Sequence, residues 1–123
     1  MVTSVSGNPV VRKPRKHDET DLMRTIHDTL VRVGVTMWRN NVGIATWQSG
    51  GKTRYGLGVG SADLIGCYRG RFVAVEVKSP SGRQSPEQAC WQRAVEAAGG
   101  LYVLARPGPG CVEEVVRTVT GER

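Results

Sequence analysis

Two carboxylates and an amine, Asp63, Glu76 and Lys78, fall within the stretch from Gly60 to Ser79. The residues around them read as two short β-strands joined at Arg69-Gly70, where glycine accepts the positive φ that a two-residue hairpin loop demands. With that loop Tyr68 faces Arg71, and counting outward along both strands sets Asp63 opposite Glu76 on one face. Side chains so paired have Cβ atoms about 4.5–5.5 Å apart, and like charges there destabilise a sheet unless something sits between them. A divalent cation answers that need. Strand alternation brings the Lys78 ammonium to the same face. A three-residue bulged loop would instead turn one acid away.

Two acids and a lysine at one spot suit metal-assisted hydrolysis of a phosphodiester. That reaction needs a nucleophilic water and an answer to negative charge on the departing oxygen, and a bound Mg²⁺ or Mn²⁺ contributes to both. Mg²⁺ takes oxygen ligands and keeps several waters, so one or two carboxylates suffice. Asp63 and Glu76 are the expected ligands, with the Val77 backbone carbonyl as a third. Lys78 is expected to position the attacking water or hold the phosphate. The plain alternative is a surface salt-bridge ladder. Against it stand Leu64, Ile65, Val73, Val75 and Val77, because charge among apolar side chains needs compensation. The Gly60-Ser61-Ala62 lead-in also lets a substrate backbone come close.

The rest of the composition is compatible with this chemistry. The chain has 123 residues, and 17 Lys and Arg against 11 Asp and Glu give a net charge of +6. Such a balance favours a polyanionic partner, nucleic acid before membrane. Apolar content of 39% and charged content of 23% are those of an ordinary globular domain. No apolar run is long enough to cross a bilayer, and the first residues lack the apolar segment of a secretory signal. Cys67, Cys90 and Cys111 are odd in number and widely spaced, which fits a reducing cytoplasm and no zinc site.

The positioning elements follow in order. Residues 1–17, with Arg12, Lys13, Arg15 and Lys16, read as a basic flexible tail, and residues 18–123 as one domain. A helix is expected from Asp18, its cap, to Gly34, with Leu22, Met23, Ile26, Leu30 and Val33 on its apolar face. Val35–Arg39 and Ile44–Gln48 read as strands separated by turn residues Asn40, Asn41 and Gly43. The Gly-rich run from Ser49 to Gly60 reads as a flexible basic loop, since it fits neither a Walker nor a dinucleotide fingerprint. After the hairpin, Ser85, Pro86 and Gln88 form a capping box for a helix ending near Ala98, with Cys90, Trp91, Ala94, Val95 and Ala98 inward. Leu101–Ala105 is an apolar strand, and residues 111–119 a last helix. The order α-β-β-β-β-α-β-α, with apolar residues on both faces of the hairpin, implies an α/β fold whose mixed sheet is covered on both sides.

The spacing of Ser61-Ala62-Asp63 and Glu76-Val77-Lys78 resembles the PD-(D/E)XK nuclease motif, with Ala62 in place of the motif's proline. The wider pattern is similar to its virus-type replication–repair branch, the VRR-NUC domain, common in phages and prophages. It includes Glu19, Trp38-Arg39-Asn40-Asn41 with Gly43, and Ser85-Pro86-Glu87-Gln88 with Trp91. The resemblance covers roughly residues 18 to 119. It implies a restriction-endonuclease-like core and DNA cleavage with a divalent metal. It adds Glu19 as a further metal ligand and Gln88 as a supporting residue, although a helix-dipole charge and a cap explain these two equally well. It further implies action on branched DNA, such as Holliday junctions, by a homodimer.

Arg39, Lys52, Arg54 and Arg83, with Arg69 and Arg71, are available for DNA phosphates or for plain solvation. Trp38, Trp47 and Trp91 read as core, and His27 as a rim residue. The rivals to a structure-selective endonuclease are a nicking or trimming nuclease without structure preference, a non-cleaving DNA-binding module of the same fold, and a protein-interaction domain.

Overall fold

The computed structural model describes residues 16–121, so most of the expected basic tail lies outside the described residues. The elements are α1 (Lys16–Arg32), β1 (Thr36–Arg39), β2 (Gly43–Thr46), β3 (Lys52–Tyr55), β4 (Leu64–Tyr68), β5 (Arg71–Val77), α2 (Pro86–Ala97), β6 (Leu101–Ala105) and α3 (Cys111–Thr120). Four strands form one mixed sheet in the order β1-β4-β5-β6, and β2 and β3 form a separate two-stranded ribbon. β1, β4 and β5 are antiparallel neighbours, and β6 joins β5 in parallel after the α2 crossover.

Strand alternation divides the core into two layers. Val73, Val75 and Val77 pack with Ile26 and Leu30 of α1 and Val115 and Val119 of α3. On the opposite face Ala74 packs with Ala62, Tyr102 and, from α2, Trp91. The expected α/β sheet covered on both faces is therefore the observed architecture, with β4 and β5 central. The β4–β5 turn consists of two residues, Arg69 at φ 49° and Gly70 at φ 81°. This pair of positive φ values is the type I′ signature, and the ladder runs from Tyr68↔Arg71 to Leu64↔Val75 as counted from the turn.

Several boundaries differ from expectation. α1 begins at Lys16, so Asp18 lies in its first turn and is not its cap. Gly34, at φ 97°, does end it: the Val35 N–H reaches back to the Leu30 carbonyl at 2.9 Å. Val33, placed on the apolar face, is 45% exposed, because the stripe that meets the sheet is Ile26 and Leu30. α2 keeps its predicted capping box, but Cys90, Ala94 and Ala98 face solvent; Trp91 and Val95 face inward. The Gly-rich loop contains a fifth strand before α2. β3 pairs with β2, while β2 stops at Thr46 because Trp47 enters the turn (Gly50 N–H to Trp47 carbonyl, 2.9 Å).

Candidate active site at the open end of β4 and β5

Asp63 stands one residue before β4, beyond the last ladder pair, and its side chain substitutes for a backbone acceptor. Its Oδ2 accepts the Val77 N–H at 2.8 Å. The N–H and C=O of one strand residue project to the same side, so the Val77 carbonyl also points toward Asp63. Glu76, next along β5, is 3% exposed and is the buried charged residue of the described chain. Its Oε2 accepts from Gln88 Nε2 at 3.0 Å and lies 3.6 Å from Lys78 Nζ. Its Oε1 is buried without a hydrogen-bond partner among the described residues.

The electrostatics follow from this burial. Desolvation, then the charge of Asp63, push the Glu76 carboxyl up to about 7, with Lys78 and, more weakly, the Asp63 backbone N–H opposing. Desolvation also raises Asp63; the Val77 N–H and Lys78 hold it down, Glu19 pushes it up and Arg39 draws it down. Burial thus disfavours the charged form of both carboxyls despite the Lys78 ammonium beside Glu76. An orphaned buried carboxylate oxygen beside a second carboxylate and a backbone carbonyl is an oxygen donor set of the kind that Mg²⁺ or Mn²⁺ accepts. The residues fit the ion on that ground.

Glu19, from the first turn of α1, lines a cavity of ≈ 180 Å³ together with Asp63, Val77 and Arg39. It is thus brought to the site's edge from the other end of the chain. Among the described residues, however, no three His, Cys, Asp or Glu side chains gather closely enough to hold a metal ion. Glu19 is a neighbour of Asp63 rather than a member of a tight ligand cluster. Gln88 does both things expected of it. Its Oε1 accepts the Ser85 N–H at 2.8 Å in the capping box while its Nε2 holds Glu76.

The expected phosphate contacts divide. Arg39 lines a cleft of ≈ 530 Å³ that ends at Asp63. Lys52 and Arg54 are exposed on the β2–β3 ribbon, and Arg83 is exposed before α2. Arg69 and Arg71 lie apart from this cleft. They sit at the turn, the far end of both strands from Asp63, where Arg69 lies over the Tyr68 ring at 5.1 Å and Arg71 Nε caps the Gly99 carbonyl at 2.9 Å. Trp38 and Trp47 are corrected: they are 58% and 59% exposed. Only Trp91 packs as expected, edge-on to Phe72 and Tyr102. His27 is a rim residue, its Nε2 3.2 Å from the Met37 carbonyl.

Two residues gain roles that the sequence did not announce. Asn40 read as a turn residue, yet its side chain clamps the strand that delivers Asp63. Its Nδ2 donates to Ser61 Oγ at 2.8 Å and to the Ala62 carbonyl at 2.9 Å, and its backbone N–H donates to the Asp63 carbonyl at 2.8 Å. Asn40→Ala is expected to cost about 1–3 kcal/mol through these unmet acceptors and to lower any cleavage activity further than the lost folding explains; melting curves beside rate measurements check this. Tyr102 read only as part of an apolar strand. It pairs with Ala74, one alternation from Glu76. Burial first, and then the charges of Glu76 and Asp63, raise its hydroxyl to about 12, while Gln84 opposes this shift with a bond of 3.2 Å. The parallel β6 register was the missing signal. Gly60 joins the site to α2: at φ 84° it lies so close to the Glu87 backbone that a Cβ would overlap it.

Neither a protein-family model nor a curated protein sequence matches this chain.

Proposed function

We propose that this protein is a divalent-metal-dependent DNA endonuclease of the PD-(D/E)XK type, similar to VRR-NUC domains. The observation that carries the reading is Glu76. A carboxylate this buried, with one oxygen unpartnered and a second carboxylate nearby, is unfavourable even with the Lys78 ammonium 3.6 Å away, and a metal ion would relieve it. The resemblance supplies the rest of the proposal: branched or otherwise structured DNA as substrate, and a homodimer that sets one such site against each of two strands.

Asp63, Glu76 and the Val77 carbonyl would hold the ion. When bound, Mg²⁺ or Mn²⁺ lowers the pKa of a coordinated water and offsets charge on the phosphate. The chain's own groups do the remaining work. Lys78, fixed against Glu76 Oε2, presents its ammonium to a phosphate oxygen or to the attacking water. Gln88 and the Val77 N–H hold the two carboxylates in place. Arg39 lines the cleft on the approach to Asp63, and Tyr102 and Trp91 wall off the α2 side.

The test is to incubate the protein with linear duplex, single strands and a four-way junction, in Mg²⁺, Mn²⁺ or EDTA. Metal-dependent cutting is expected, with the junction preferred. Lys78→Ala should slow it by about 10²–10³-fold, the scale of losing one stabilising donor at a reacting oxygen. A second reading, a DNA-binding module of the same fold that does not cleave, is favoured by the absence of a three-residue metal cluster among the described residues. Tight, salt-sensitive binding without cutting in either metal would establish that reading instead.

A further inference from the structure

The cleft in front of Asp63 is bordered by a segment of one-sided chemistry. From Thr29 to Ala62 the chain has no Asp or Glu and four Lys or Arg. Its centre is the β2–β3 ribbon, which stands apart from the main sheet and is exposed at every position except Gly43. The ribbon's register sorts its side chains. Ile44↔Arg54 and Thr46↔Lys52 share one face, and Gly43↔Tyr55 and Ala45↔Thr53 share the other. Trp47 belongs to the second face, since its Nε1 donates to Thr53 Oγ1 at 2.7 Å.

That second face leads to the carboxylates. The Tyr55 ring lies across Gly43, where any side chain would collide with it. Tyr55 also lines the same cleft as Asp63 and Arg39. Tyr55 is 49% exposed and Trp47 59%. One face of the ribbon thus offers two aromatic planes on the way to Asp63, and the opposite face offers cations.

Open aromatic planes in a basic, acid-free segment match a strand of unpaired nucleotides, whose bases stack and whose phosphates are anionic. A duplex presents base edges in its grooves and keeps its base faces stacked. A second copy of this chain, docked through a two-fold contact, would set these cations against themselves with no carboxylate in the segment to answer them. We propose that the β2–β3 ribbon binds unpaired nucleotides beside the cleavage position. Bases stack on Trp47 and Tyr55, Arg39 meets the backbone in the cleft, and Lys52 and Arg54 add attraction from behind. That the ribbon flanks a cleavage position rests on the nuclease reading; the binding itself does not.

The experiment measures anisotropy of a labelled single-stranded oligonucleotide and of a blunt duplex with the full chain, in EDTA. The single strand is expected to bind more tightly and to quench tryptophan fluorescence. The double variant Trp47→Ala/Tyr55→Ala should weaken single-strand binding by about tenfold or more and leave duplex binding unchanged. Trp47→Phe/Tyr55→Phe, which keeps both rings, should retain most of the affinity and so separates stacking from ribbon folding. Equal single-strand affinity in wild type and the alanine pair would overturn the proposal, as would equal losses in the two pairs. A protein-concentration-dependent dimer dispersed by the alanine pair would overturn it in favour of a second copy as the occupant. Because no metal is present, absence of cleavage elsewhere leaves this result standing, and failure here leaves the cleavage test standing.

Discussion

Glu76→Gln should make this protein more stable and, under the proposed function, far slower at cleavage in one step. The wild-type carboxyl is raised to about 7 from an ordinary 4.5. The folded chain therefore holds that proton more tightly than the unfolded chain does, and ionisation works against folding. The penalty is absent below the unfolded value, grows between pH 4.5 and 7, and is complete above pH 7. The difference of about 2.5 units corresponds to roughly 3 kcal/mol as an upper figure, at about 1.36 kcal/mol per unit. Asp63 is shifted in the same direction, so it adds to the same trend.

A glutamine has nearly the same shape and carries no charge. At pH 8 the variant should gain roughly 1–3 kcal/mol, which for a domain this size raises Tm by on the order of 10 °C. At pH 4.5 the two proteins should melt together. Cleavage should fall by about 10²-fold or more. Thermal melts across this pH range beside a cleavage assay check both halves. A variant less stable than wild type at pH 8 would mean that Glu76 is satisfied in the fold and has no need of a cation.

Mg²⁺ or Mn²⁺ should stabilise the wild-type protein, and the effect should depend steeply on pH. An ion at 100 times its dissociation constant adds about 2.7 kcal/mol to the folded state. At pH 8 Glu76 is available as a carboxylate. At pH 5 the ion must displace the Glu76 proton, which lowers apparent affinity about tenfold for each pH unit below 7. The same metal concentration is then near the dissociation constant, and the gain shrinks to about 0.4 kcal/mol. A large upward Tm shift at pH 8 that nearly vanishes at pH 5, and is absent in Glu76→Gln, is the expected pattern. An equal shift at both pH values would place the ion elsewhere.

The central hairpin was legible because its determinants are local. Arg69-Gly70 sets a two-residue turn, and the turn sets the register as far as Leu64↔Val75; Asp63, counted opposite Glu76, instead lies beyond that ladder and accepts the Val77 N–H. The capping box at Ser85 and the Gly34 helix end were legible for the same reason: each depends on residues within a few positions. What was not legible depends on partners distant in sequence. Strand β3 hides in the Gly-rich run because its four residues are all exposed and no alternation of burial marks it, whereas β2 overlaps the strand expected over Ile44–Gln48. Trp38 and Trp47 were read as core because large aromatic side chains usually are. Trp38 lies on an edge strand and Trp47 in the ribbon, and no described helix covers either. Tyr102 and Asn40 reach the site through the parallel β6 register and through a loop clamp, neither of which leaves a pattern in a single sequence.

The Gln88 side chain closes the α2 capping box with its oxygen and holds Glu76 with its nitrogen. The start of a helix and the charge state of the site are thereby written into one planar amide. Protonation of Glu76, or capture of its carboxylate by an ion, weakens the pull on Gln88 Nε2, and the planar group passes that change to the Ser85 N–H. The first turn of α2 is in this sense a gauge for the site: its amide signals should respond to what occupies the carboxylates, and they can be followed without replacing any of the residues that would do the chemistry.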